Sequence, residues 1–332
     1  MEAKNVTGKT FKILIPLLIS AAVLWYTYRN YDFNDFGKTL GTIDMKWLGA
    51  ALLFSLLGPL FRGLRWDLLL RPIGYTVPKR DTNLIVFTGY AANIIIPRFG
   101  EISRCAILDR KDHVPFSKSL GTLIAERFVD MILLVSLTGI TVLTQYGKFV
   151  QLFSNAGAKA DAAPAVSVPF YQNPKFYILT GIILISAGLC IVLWKKLGLH
   201  ERIKGFIVNL WEGFIAIRQI DHLPLFLLYS VSIWICYYFE MYLAFFSMES
   251  TSAVGPIAGL VCFVAGSIAV LVPTPNGAGP WHFAIINMLL IYGVPDRDAQ
   301  TLALVLHTSQ TACYLLAGAV AWVLLELIHK ES

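Results

Sequence analysis

The sequence predicts an all-α integral membrane protein: a helical bundle of about six spanning helices with two opposed re-entrant hairpins in an inverted repeat. Three observations predict it. Of 332 residues, 56% are hydrophobic and 14% are charged, whereas soluble domains carry roughly a quarter charged residues. Apolar stretches at 11–28, 47–70, 116–144, 176–194, 223–248 and 298–327 are each long enough to cross about 30 Å of hydrocarbon, which takes roughly 20 helical residues. Two further stretches, 82–96 and 254–272, run into a Pro/Gly interruption and then a half-length segment, 98–110 and 281–292, which is the pattern of a hairpin that enters the membrane and returns. No polar block of domain size separates these runs, so residues 1–332 read as one transmembrane domain.

Taken in order, the first stretch follows Lys4, Lys9 and Lys12 and resembles the charged and apolar regions of a secretory signal. Tyr26, Thr27, Tyr28 and Arg29 then stand where small cleavage-site residues belong, so the helix is expected to be retained. The first repeat covers 47–144 with its hairpin at 82–110, and the second covers 223–327 with its hairpin at 254–292. The repeat shows most clearly in two segments, Phe87 to Pro97 and Phe263 to Pro273, with equal Phe–Pro separation, three aliphatic residues before each Pro and a Gly soon after it. Between the repeats lie an Ala/Ser/Pro-rich linker, 154–169, and a segment, 199–220, in which Ile203, Phe206, Ile207, Leu210, Trp211, Phe214 and Ile215 recur at helical spacing. That amphipathic helix fits either the cytoplasmic interface or a position packed under the bundle.

The net charge of +6 does not point to nucleic acid, because Lys and Arg flank apolar runs as in cytoplasmic loops. Arg62, Arg65, Arg71, Lys79, Arg80, Arg110, Lys111 and Lys118 fall on the side of the N-terminal lysines, as do Lys195, Lys196, Arg202, Lys204 and Arg218. The loops 29–46, 145–175 and 293–297 carry fewer basic residues. Both termini are therefore expected to be cytoplasmic, with the hairpins entering from opposite sides. The five cysteines, Cys105, Cys190, Cys236, Cys262 and Cys313, lack CxxC spacing and read as packing residues. No metal or cofactor is expected, and no HExxH, GxSxG, P-loop or GxGxxG pattern in its proper context supports catalysis.

Polar residues within apolar runs carry the chemistry. Broken backbone at membrane depth is tolerated only where protein or a water-filled cavity satisfies it, and paired breaks in two halves of a chain mark transporter binding sites. The break residues are Pro97 and Gly100 in the first half and Pro273, Pro275, Gly277 and Gly279 in the second. Arg98, Glu101 and Arg104 follow the first break three residues apart, so they share roughly one helix face and leave it net positive. A planar guanidinium donates two parallel hydrogen bonds to phosphate, so a lipid phosphate is a natural ligand; a Glu101–Arg104 pair that pins the hairpin is the structural alternative. Glu126, Arg127 and Asp130 in the next helix can close a network with that hairpin or form a local ion pair. Arg62 and Arg65, beside Trp66, fit either a binding role or snorkelling anchors. In the second half, Asn276 and His282 are the polar members of the break, while Glu240 and His307 are candidates for proton coupling or, alternatively, ordinary core polar residues.

Read together, these motifs resemble the flippase-like transmembrane domain of the lysylphosphatidylglycerol synthase family. They are Arg62-Gly-Leu-Arg65-Trp66, Asn93-Ile-Ile-Ile-Pro97-Arg98-Phe-Gly100-Glu101-Ile-Ser-Arg104, Glu126-Arg127-Phe-Val-Asp130 and Pro273-Thr-Pro-Asn-Gly277-Ala-Gly279. The resemblance implies a protein of the bacterial cytoplasmic membrane that moves or binds a phospholipid or polyprenyl-linked lipid between the two hairpins. It adds Asn93 to the expected binding residues, and it implies either self-association or a lipid-synthesis enzyme as partner. Asn276 and His282 stand where the family commonly has Gly and an acidic residue, so a role needing that carboxylate is not expected. The chain stops at Ser332 after its last helix, so aminoacylation by this polypeptide is not expected either. The alternative reading is a membrane enzyme, or enzyme subunit, acting on a lipid-linked substrate.

Overall fold

The computed structural model describes residues 2–33, 36–145, 208–209, 211–328 and 330, and these contain helices and no strand. The labelled helices are α1 (Glu2–Tyr28), α2 (Met45–Leu70), α3 (Lys79–Ile95), α4 (Phe99–Asp112), α5 (Phe116–Thr144), α6 (Leu223–Phe245), α7 (Pro256–Ala269), α8 (Pro280–Ile291) and α9 (Asp296–Ile328). Local chemistry sets many of the boundaries. Asp44 caps α2 by accepting from the Lys46 amide at 2.8 Å. Proline stands in the first turn of α6, α7 and α8, where its missing N–H costs nothing.

Among the described residues, three helices are both long and apolar enough to cross a membrane, Met45–Ile73, Leu223–Phe245 and Asp296–Ile328. Helix α5 has the length, at 29 residues, but Glu126, Arg127 and Asp130 interrupt its apolar run. The expected span 176–194 and the linker 154–169 lie outside the described residues, as do Cys190 and the first part of the expected amphipathic segment. The described part of that segment packs against the start of α5: Asn209 Nδ2 donates to Ser117 Oγ at 3.1 Å, Glu212 pairs with Lys118 at 3.1 Å, and Phe214 meets Phe128 edge to face. Outward faces are apolar, with Val135 on α5, Leu228 on α6 and Leu316 on α9 all more than half exposed, as lipid contact requires.

Among the described residues, the buried side chains form two clusters at opposite ends of the long helices. One gathers Ala51 of α2, Phe245 of α6, Cys262 of α7, Ile285 of α8 and Leu302 of α9. The other gathers Leu69 of α2, Ile85 of α3, Leu108 of α4, Phe226 of α6 and Leu325 of α9. Helices α2, α6 and α9 therefore run the full length between clusters, whereas α3–α4 belongs to one end and α7–α8 to the other. Pro59 illustrates how the long helices are repaired: it cannot donate to the Ser55 carbonyl, and the Tyr314 hydroxyl of α9 donates to that oxygen instead, at 3.2 Å.

Candidate functional site

The first break is short. Helix α3 ends at Ile95, Arg98 adopts a left-handed backbone with φ 61°, and α4 starts at Phe99. Asn93 Oδ1 accepts from the Gly100 amide at 2.7 Å, satisfying a donor in the first turn of α4. Gly100 lies against the Gly89 carbonyl and the Asn93 amide, leaving no room for a Cβ. Two half-helices can close this tightly only with glycine at the crossing.

Behind the break, helices α2, α4 and α5 bring charges together. Arg62 Nη1 donates to Glu126 Oε1 at 2.5 Å and to Asp130 Oδ2 at 2.9 Å, and Arg65 Nη1 donates to Asp130 Oδ1 at 2.7 Å. Arg104 donates to both Glu126 oxygens, at 3.5 and 3.3 Å, and its guanidinium lies 4.3 Å from the Trp66 ring centroid. Arg127 reaches Glu101 at 3.1 Å and Asp130 at 3.6 Å. Arg62, Arg65, Arg104 and Glu126 are buried, so Arg62 and Arg65 are core residues instead of snorkelling anchors. The alternative Glu101–Arg104 pair gives way to partners across helices, because Arg104 turns inward onto Trp66 while Glu101 stays a third exposed. Four guanidinium groups face three carboxylates, leaving one positive charge in excess, and the buried Nε atoms of Arg65 and Arg104 have no hydrogen-bond acceptor among the described residues.

Two tyrosines extend this network. The Tyr90 hydroxyl accepts from Arg62 Nε at 3.0 Å and shares a short hydrogen bond with the Tyr237 hydroxyl. The Tyr90 ring meets Tyr314 at 5.0 Å, and Gln310 donates to the Tyr314 hydroxyl at 3.5 Å. Glu240, buried at 5% exposure on α6, lies within the candidate span Leu223–Phe245 without an ion-pair partner among the described residues. Tyr90 and Tyr237 escape a sequence reading because tyrosine in an apolar helix is ordinary packing; the only hint is that Tyr90 falls inside the repeated Phe87–Pro97 segment.

The second break is longer. Asn276 is left-handed at φ 49°, and Gly277 and Gly279 have φ 73° and 94°, values that side-chain-bearing residues adopt at a cost. His307 of α9 donates from Nε2 to the Asn276 carbonyl at 3.0 Å, and the Gly279 amide donates to His282 Nδ1 at 3.4 Å. The two imidazoles lie 4.4 Å apart, beside Trp281. Asn276 Nδ2 donates to Thr311 at 2.9 Å, and Ser20 of α1 donates to the Ala278 carbonyl at 2.9 Å. The breaks meet: Arg98 Nη2 donates to the Leu271 carbonyl, two residues before Pro273, at 2.8 Å. No cluster of metal ligands occurs among the described residues.

Fold and site together define a multi-pass membrane protein whose two broken helix pairs touch beside a buried arginine–carboxylate network. The family described as the lysylphosphatidylglycerol synthase TM region matches residues 13–318, and the chain belongs to that family. It is similar to two UPF0104 membrane proteins of Methanocaldococcus jannaschii. MJ1078 is 21% identical over 70% of this chain and 94% of its own length, and MJ1595 is 20% identical over 98% and 97%. It is also similar to the glycosyltransferase AglD of Haloferax volcanii, 23% identical over 39% of this chain and 21% of that protein. These relatives are archaeal, so they do not support the expected bacterial setting.

Proposed function

We propose that the chain moves an anionic lipid, a phospholipid or a polyprenyl-linked lipid, between membrane leaflets. The observation that carries this reading is the junction of the two breaks: Arg98 joins them, with a net-positive guanidinium network directly behind. A buried ionic network of this size is costly in a membrane and is retained there chiefly for function. In this reading α3–α4 and α7–α8 are re-entrant hairpins, related as an inverted repeat, that enter from opposite leaflets. Their assignment to opposite ends of the bundle supports it. Arg98 receives the phosphate, and Arg62, Arg65 and Arg104, held by Glu126 and Asp130, supply the positive field behind it. Glu240 is the proton-coupling group; its neighbour Gln310 donates to the hydroxyl of Tyr314, whose ring packs against Tyr90 of the network.

The test is reconstitution. In vesicles carrying the full chain, a fluorescent phospholipid in the inner leaflet should become accessible to an outside quencher faster than in empty vesicles, and Arg98→Ala should slow it about tenfold, the worth of one charge-assisted hydrogen bond. If no lipid class crosses faster than in empty vesicles, the transport reading is wrong. The partial similarity to a glycosyltransferase favours a second reading, in which the chain presents a lipid-linked substrate to an enzyme. That reading predicts unaltered leaflet exchange but a changed lipid-linked sugar profile on deletion.

A further inference from the structure

Between the breaks lies a recess of about 260 Å³, just below the roughly 300–1,000 Å³ typical of small-molecule sites. It has room for a headgroup and none for a whole lipid. Its apolar walls are Ile94 at the end of α3 and Pro275 and Ala278 in the second break; its polar walls are Asn276, Thr308 and Thr311. His307 completes it, with its Nε2 already committed to the Asn276 carbonyl. Among the described residues, no carboxylate, lysine or arginine lines it.

The threonines here are poised differently from several in the long helices. Thr88, Thr138, Thr141 and Thr301 each donate their hydroxyl to the carbonyl one turn earlier, the usual fate of a helical threonine. Thr308 makes no such bond to any described residue, and Thr311 uses its oxygen to accept from Asn276. Asn276 holds a left-handed backbone, and strain of this kind collects where a ligand needs a group presented. The opposite tip repeats the device: Arg98 is also left-handed. Arg98 stands four residues after Ile94 and reaches the Leu271 carbonyl, four residues before Pro275, so a cation is tied to both segments that wall the recess. An uncharged lining of hydroxyl, amide and apolar surface beside one guanidinium suits a ring or chain of hydroxyls attached to a phosphate, with C–H faces on Ile94 and Pro275 and hydroxyls on Thr308, Thr311 and the Asn276 side chain.

We infer that this recess is a subsite for the hydroxyl-rich, uncharged part of a phosphate-linked headgroup, so that the cargo is a sugar- or polyol-bearing lipid. The inference rests on the lipid reading above. Phosphatidylinositol and phosphatidylmethanol each carry one negative charge and differ in the hydroxylated ring. Short-chain forms of both, titrated calorimetrically onto the purified full chain in detergent, should differ about tenfold in affinity in favour of the inositol lipid, the worth of one or two hydrogen bonds. Thr308→Val should erase most of that preference while leaving phosphatidylmethanol binding unchanged, and Arg98→Ala should weaken both lipids alike. Equal affinity for the two lipids, or a preference untouched by Thr308→Val, overturns the subsite and leaves lipid binding standing. Failure of both lipids to bind overturns the lipid reading and the subsite with it. Inositol phosphate without acyl chains should bind at least tenfold more weakly than the lipid; equal binding would make the ligand a soluble sugar phosphate and overturn the lipid assignment.

Discussion

Glu126 accepts from Arg62 and Arg104 and lies 3.3 Å from Arg65, so Glu126→Gln leaves Arg104 without a carboxylate partner and Arg62 and Arg65 sharing Asp130. Removing one partner of a buried ionic cluster costs about 3–5 kcal/mol, and a thermal melt in detergent should show a clear loss of stability. Arg98→Ala should behave oppositely, because Arg98 is exposed and its loss forfeits one hydrogen bond to a carbonyl: the melting temperature stays close to wild type while lipid exchange falls. A transport defect from Glu126→Gln that tracks only the folded fraction would assign Glu126 to scaffolding. At this scale the sequence is a partial guide. Charges in apolar helices stand out because lipid penalises them, so Arg62, Arg65, Arg104, Glu126 and Asp130 are legible in the sequence as exceptional, and the structure brings them into one buried network. Their partners are not legible there, because spacing along one helix favours Glu101–Arg104 whereas the Trp66 ring from α2 draws Arg104 inward. The hydroxyl pair of Tyr90 and Tyr237, 147 residues apart, has no local signal beyond the place of Tyr90 in the repeated segment.

Helix breaks are the elements that read best from sequence, since proline and glycine act on their own backbone. The segments 82–96 and 98–110 become α3, Lys79–Ile95, and α4, Phe99–Asp112, and the second break falls between α7 and α8 as its Pro273–Pro280 run requires. What spacing alone could not supply is how closely each pair folds back. Gly100 against Gly89 sets that for the first pair. Gly100→Ala would drive a Cβ into the Gly89 carbonyl and the Asn93 amide, both tied to backbone, so α3 and α4 must part. Overpacking of this kind costs roughly 1–3 kcal/mol, and loss of the Asn93 bond adds about 1 kcal/mol. Asn93→Ala alone should show the smaller loss in the same melting measurement. Equal stability of Gly100→Ala and wild type would mean that the pair is looser than its contacts imply.

At the scale of the whole molecule, the proposed transport by alternating exposure requires that the junction between the breaks open. Arg98 and Leu271 form its contact, and they belong to helix pairs anchored in different core clusters: α4 packs with Ile85 and Trp66, α7 with Phe245 and Ile285. Each pair can therefore rock within its own end of the bundle while α2, α6 and α9 hold the two ends together, the division expected of an inverted-repeat transporter. Joining the tips should arrest that motion. With the five native cysteines replaced, Arg98→Cys and Leu271→Cys can be bridged by a short thiol-reactive linker that a reductant cleaves. Because Arg98→Cys itself removes the guanidinium, the comparison is made within that variant: its residual lipid exchange should fall to the empty-vesicle rate when bridged and recover on reduction. A linker long enough to span the parted tips should have little effect. If the short bridge leaves exchange unaltered, the junction does not open during transport and lipid must pass along the outside of the bundle, past the apolar faces of α5, α6 and α9.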